Sequence, residues 1–203
     1  MKLTRSERIR IHTRVGLLSA MAAILYVWPE IPIIPPIYKI DLSNIPVLLG
    51  AVSMGWLPGA GILLIKDLTG LLHSTSAGIG ELADFLVSLA FMVVSVGLDP
   101  KRKGRRSALI GMIAGIVAMT VCGALVNYYI LIPFYVGSMG LSSEAIISMV
   151  AKTIPAVDSM EKLIVMATVP FNLLKGAVIT AVTFAIYKPL EHILKRKDGK
   201  GRV

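Results

Sequence analysis

Lys175 stands near the middle of an apolar run, Leu163 to Ile186, with Asn172 one helical turn before it. At ~1.5 Å rise per residue, such a run crosses a hydrocarbon core of ~30 Å. A charge at that depth costs ~2.5–3.5 kcal/mol. The i, i+3 spacing puts the amide and the ammonium on one helix face, and Pro170 loosens the backbone just ahead of both. Asn127 interrupts a second apolar stretch, beside Tyr128 and Tyr129. An amide offers two donors and an acceptor, and an ammonium three donors. Together they suit a neutral, planar heterocycle with alternating carbonyl and N–H groups, its apolar remainder meeting Leu, Val and Met walls. Glu81 and Asp84, also at i, i+3, suit the hydroxyls of a polyol tail. No arginine lies inside an apolar run, which argues against a carboxylate-bearing ligand.

Each of these residues also has a plainer use. Asn127 could be polar glue between helices. Glu81 follows Gly78–Gly80 at a helix start, where a carboxylate is favoured. Lys66 and Asp67 are adjacent, so they point to different helix faces and need separate partners, Asp67 from a lysine on another span. His73 completes the intramembrane polar set.

The elements that position these groups follow from composition and charge. Hydrophobic residues make up 55% of the chain and the mean hydropathy is +0.76, values of an integral membrane protein. The net charge of +9 does not indicate nucleic-acid binding, because the basic residues cluster between apolar runs instead of lining a recognition surface. Three clusters hold most of the 21 basic residues. They are Lys2 to Arg14, Lys101 to Arg106, and Lys188 to Arg202. The positive-inside rule places all three in the cytoplasm, so an even number of spans separates each pair. Reading Ile45–Leu72 as one span breaks that parity; splitting it at Trp56-Leu57-Pro58-Gly59, a turn signal, restores it.

The pattern therefore predicts an all-α fold: one membrane domain over residues 1–203, with six transmembrane helices and both termini cytoplasmic. The spans fall at about 15–28, 45–56, 59–72, 79–98, 107–133 and 163–187. The first apolar run lacks a small-residue cleavage site and reads as a retained span. No internal repeat is evident, which weakens an inverted-repeat transporter reading.

Two loops stand out. Pro29–Asn44 is proline-rich, stiff and poorly helical, with Lys39 and Asp41 near its end. Gly137–Glu161 is long, with Ser142 placed to cap a helix over EAIISMVAK. Each could cover a site or lie on the membrane surface. In the first span Gly16, Ala20 and Ala23, with Ser19, form a small-residue face that serves either internal packing or docking of another membrane subunit.

Catalytic signatures are missing. There is no GxxxxGK[ST], HExxH or CxxC, and Gly137-Ser138-Met139-Gly140 has the wrong spacing for a serine nucleophile turn. The single cysteine, Cys122, allows no disulfide framework and no multi-cysteine metal site. The reading is of a non-enzyme with no metal and no cofactor.

Five segments carry a resemblance. They are PPIYKIDLSNIPVLLGA (Pro35–Ala51), IKDLTGLLH (Ile65–His73), GIGELADFL (Gly78–Leu86), NYYILIPFY (Asn127–Tyr135) and VPFNLLKG (Val169–Gly176). With the first span they cover nearly the whole chain; GELADFL and PFNLLK are the most specific. The chain resembles the substrate-binding S components of energy-coupling-factor (ECF) vitamin transporters, and among them the riboflavin-specific kind. The resemblance implies six helices holding one vitamin near the outer side of the cell membrane. It implies that Asn127, Asn172 and Lys175 hydrogen-bond the flavin, that the loop around Lys39–Val47, with Lys39 and Asp41, closes over it, and that Glu81 is a further contact. It implies that Gly16, Ala20 and Ala23 dock a transmembrane coupling protein, which works with two ATPase subunits. Riboflavin would then be cargo and not a redox cofactor. The family often carries asparagine where this chain has Asp67 and Asp84, which sets those two apart from a direct ligand role. A rival reading is an ion-coupled secondary transporter for another vitamin-like solute, with Asp67, Glu81 and Asp84 as a relay; a third is a structural scaffold.

Overall fold

The computed structural model describes residues 4–28, 31–34, 37–97 and 105–195. Lys2, Lys101–Lys103 and Arg196–Arg202 of the basic clusters, Leu98 of the fourth predicted span, and Pro29, Glu30, Pro35 and Pro36 of the first loop lie outside them. Helix α1 (Arg5–Val27) starts at a capping box, in which Thr4 accepts from the Glu7 amide while the Glu7 carboxylate accepts from the Thr4 amide. That bonding holds the Glu7 carboxyl below its ordinary range.

A short hairpin follows, β1 (Ile31–Ile34) against β2 (Tyr38–Ile40), antiparallel with Ile31 opposite Ile40 and Ile34 opposite Tyr38. The all-α reading needs this correction. Pro32 and the flanking prolines exclude a helix, and the hairpin recovers backbone hydrogen bonds within a segment that would otherwise leave them unmade.

Helices α2 (Asn44–Met54) and α3 (Trp56–Gly70) are separated by Gly55 alone. The break thus falls one residue ahead of the Trp56–Gly59 turn predicted from sequence. Gly55 has φ of 99°, a conformation that favours glycine. Pro58 instead sits in the first turn of α3, where a missing N–H breaks no intrahelical bond.

Helix α4 (Ile79–Gly97) packs along α5 (Arg105–Val126). Gly111 and Gly115 let the two backbones meet, since a Cβ at either would run into Ser95 or Phe91. A π-helical turn, Asn127–Leu131, joins α5 to α6 (Ile132–Ser138). Then come α7 (Ser143–Ala151), capped by Ser142 accepting from the Ala145 amide at 3.1 Å, and α8 (Met160–Leu163). A second π turn, Ile164–Thr168, leads into α9 (Val169–Lys195).

Among the described residues three helical stretches are long and apolar enough to cross a membrane: Ile79–Gly97, Arg106–Ser138 and Met160–Ile186. The main core joins Leu48, Ile62, Leu63, Phe91, Met92, Met119 and Ile179 from five helices. A second core gathers Ile34, Tyr38 and Ile40 of the hairpin with Ile146 and Val150 of α7 and with Leu163, Ala167 and Phe171. Hairpin and α7 therefore pack as one cap over the start of α9.

Candidate functional site

Between the cap and the helices lies a cavity of about 470 Å³, within the range of small-molecule sites. Asn127, Asn172, Lys175, Glu81, Lys39 and Asp41 all line it. Tyr26, Tyr38, Asp84, Met119, Tyr135 and Phe171 add to the walls. The lining residues share one property of position. On α1, α4, α5–α6 and α9 they occupy the part of each helix farthest along the chain from its basic end.

The two asparagines are held in the same way. Asn127 Nδ2 donates to the Gly123 carbonyl at 2.8 Å, and Asn172 Nδ2 donates to the Thr168 carbonyl at 2.9 Å. A carbonyl only accepts, so each bond fixes which end of the amide faces the backbone. Each amide keeps one N–H and its carbonyl oxygen for other partners. Asn127 opens one π turn, and the acceptor of Asn172, Thr168, closes the other; Ile132 N donates to the Asn127 carbonyl and Val169 N to that of Ile164. The cause is visible in the sequence. Pro133 and Pro170 each follow a π turn by two residues, cannot donate, and crowd the carbonyl four residues back. Widening the preceding turn relieves that clash, and such bulges recur at functional sites.

Lys175 lies in a buried ionic chain. Its Nζ donates to Asp41 Oδ2 at 2.9 Å and to Asp84 Oδ1 at 3.0 Å. Asp84 Oδ2 accepts from Lys66, and Lys66 Nζ lies 2.9 Å from Asp67 Oδ1. Asp41 also accepts from the Ser43 amide, at 3.0 Å, and from the Ser43 hydroxyl. Lys66 is 0% exposed and 4.7 Å from the centre of the Tyr26 ring.

This corrects the sequence expectation for Lys66 and Asp67. They share a partnership instead of needing separate ones, because a four-carbon stem lets the ammonium swing back to its neighbour. Asp84, whose direct ligand role the family resemblance puts in doubt, lines the cavity and bridges both lysines. Lys66, Asp67 and His73 do not line the cavity. An ammonium has three N–H groups, and among the described residues Lys175 uses two, which leaves one for the cavity.

Glu81 is buried in the first turn of α4 and accepts from Ser74 Oγ at 2.8 Å and Ser76 Oγ at 3.2 Å. Tyr38, which sequence reasoning passed over beside Lys39, is the cap's polar tip. Its hydroxyl donates to Asn127 Oδ1 at 3.4 Å and lies 2.5 Å from Thr168 Oγ1. Its ring packs on Phe171 at 4.9 Å. Burial pushes the phenol up to about 12, so it stays neutral through the physiological range. The raised value means that the folded chain holds this proton more tightly. Its contribution to stability is therefore full below the ordinary value of 10 and falls away as pH rises towards 12. Tyr38→Phe removes one buried donor and is expected to weaken ligand binding by ~1 kcal/mol, mainly through faster dissociation, measurable by stopped-flow release. An unchanged off-rate would separate Tyr38 from closure of the cap.

On α1, Gly16 and Ala20 are exposed and Ala23 is half-buried, and a Cβ at Gly16 would meet nothing within 4 Å. Ser19 is buried and points inwards, so it leaves the small-residue face on which its spacing placed it.

Membrane-length helices around a capped, polar-lined cavity define a membrane protein that binds a small solute. The model of the family described as ECF transporter, substrate-specific component, matches residues 10–187, and the chain belongs to that family. It is 29% identical over 196 residues to the riboflavin transporter RibU of Staphylococcus aureus (strain TCH60), covering 96% of this chain and 97% of the relative. It is 29% identical over 181 residues to the riboflavin transporter FmnP of Bacillus subtilis (strain 168), covering 87% and 90%. The solved structure of the S component of a bacterial ECF transporter superposes with a TM-score of 0.73 at 27% identity, covering 93% of this chain and 99% of that one. The family is one of substrate-binding transport components, and the chain is not an enzyme.

Proposed function

We propose that this chain captures riboflavin from outside the cell and delivers it inwards with a coupling membrane protein and two ATPase subunits. One observation carries the proposal: two amides of fixed orientation and one N–H of a buried ammonium converge on a single cavity walled by aromatic and aliphatic side chains. Asn127, Asn172 and Lys175 then bond the polar edge of the flavin rings. Glu81 accepts from the ribityl hydroxyls, and Lys39 and Asp41 close over the ligand with the hairpin. The names of the relatives from S. aureus and B. subtilis support the choice of vitamin.

A six-span topology with both termini cytoplasmic accounts for the basic ends of α1, α5 and α9. It turns the opposite ends, which line the cavity, to the outside of the cell membrane. The ion-coupled alternative finds less support, because Asp67 and Asp84 are already held by lysines.

The test is a riboflavin titration of the purified chain. Bound-flavin absorbance and quenched fluorescence are expected; a colourless preparation that leaves added riboflavin unquenched overturns the reading.

The exposed Gly16–Ala20–Ala23 face is the proposed seat of the coupling protein. Gly16→Leu with Ala20→Leu is expected to leave riboflavin binding by the isolated chain intact. ATP-dependent uptake by the assembled transporter should fall about tenfold or more, because bulky residues hold helix backbones apart. Uptake at the parental rate would move the docking site elsewhere.

A further inference from the structure

We infer that Gly123, on α5 and outside the cavity wall, is the positioning residue for both ligand-facing amides, setting one through its carbonyl and the other through its missing side chain. The inference rests on the riboflavin reading for its functional consequence, not for its geometry. The Gly123 carbonyl is the acceptor that holds Asn127 Nδ2 at 2.8 Å. A Cβ built on Gly123 would lie 2.6 Å from Asn172 Nδ2, 2.9 Å from its Cγ and 3.0 Å from its Oδ1. All three nearest atoms belong to one amide group, so the glycine makes room for that group and for nothing else so close.

The amide has little freedom to yield. Its Nδ2 is bonded to the Thr168 carbonyl at 2.9 Å, and Asn172 is only 5% exposed. Moving α9 away from α5 instead would give up close packing between them. One turn further along, Gly176 rests on Ile116 and Met119, and a Cβ there would already stand 3.1 Å from Ile116 Cγ1. A methyl group at 123 must therefore rotate the Asn172 amide out of its place in the cavity wall. The Gly123 carbonyl, which is main chain, remains for Asn127.

The test is a double-mutant cycle with Gly123→Ala and Asn172→Ala, read in two ways. By flavin-fluorescence titration, Gly123→Ala alone is expected to weaken riboflavin binding about tenfold or more, the effect of a lost buried hydrogen bond. In the Asn172→Ala background, where the colliding atoms are gone, the same change is expected to alter affinity less than about twofold. By thermal unfolding without ligand, Gly123→Ala is expected to lower Tm in the parental chain and to lower it less when Asn172 is alanine. Equal effects of Gly123→Ala in the two backgrounds, in either readout, would overturn the inference, as would parental affinity in the single variant. A parental chain that binds no riboflavin would overturn the functional reading instead, while the unfolding cycle would still decide the contact.

Discussion

Replacing Lys175 by alanine is expected to weaken riboflavin binding by roughly 100-fold or more, a loss of ~3 kcal/mol or above. Two effects add. The ligand loses a charge-assisted donor, which is worth ~1.5–3 kcal/mol. The cap loses its anchor as well, because Asp41 follows the hairpin and its Oδ2 is held by Lys175 at 2.9 Å. With the ammonium gone, Asp41 keeps its bonds from Ser43, and a buried carboxylate that loses its counter-charge is costly. Asp84 suffers less, since Lys66 still pairs with it. Adding Asp41→Asn to Lys175→Ala should therefore recover part of the loss, as expected of residues in direct contact. Lys175→Arg should not rescue, because a planar fork does not fit between two carboxylates placed for a point charge. The measurement is titration of each variant by flavin-fluorescence quenching. Parental affinity in Lys175→Ala would remove the lysine from the site.

Lys66→Ala should do something different: destabilise the chain by ~3–5 kcal/mol through a residue that does not itself line the cavity. Lys66 is fully buried between Asp67 and Asp84, against the Tyr26 ring. Among the described residues, its removal leaves Asp67 with no cation and Asp84 with Lys175. The effect should appear as a large fall in the unfolding temperature of detergent-solubilised protein. Lys66→Met combined with Asp67→Asn should restore most of it, since a buried ion pair replaced by apolar or neutral groups of similar volume is often nearly neutral. Such a double variant keeps the Asp41–Lys175–Asp84 group intact and should still bind riboflavin. An unaltered unfolding temperature in Lys66→Ala would show that the ion pairs do not hold the bundle together.

These two lysines show how far the chain could be read unfolded. Both are conspicuous in sequence, because a charge in an apolar run is a cost that any reader can see. Their roles differ, and only the folded chain separates them: Lys175 faces the cavity and Lys66 does not. The resemblance sets Asp84 apart from a direct ligand role. The fold instead makes it the bridge between the lysines, a role that exists only once α3, α4 and α9 are packed together.

By itself, the sequence determined the membrane class, the helical character, and the amides and ammonium that distinguish the site, because hydropathy, charge spacing and helical period are local properties of the chain. Pro133 and Pro170 are local marks of the two π turns as well, since each lacks a donor and crowds the carbonyl four residues back. Tertiary structure alone decided the hairpin register, the swing of Lys66 onto its neighbour, the inward turn of Ser19, and the seating of Asn172 against a bare glycine on α5. Each of these depends on which atoms meet across elements far apart in the chain, and close packing settles that only when every neighbour is in place.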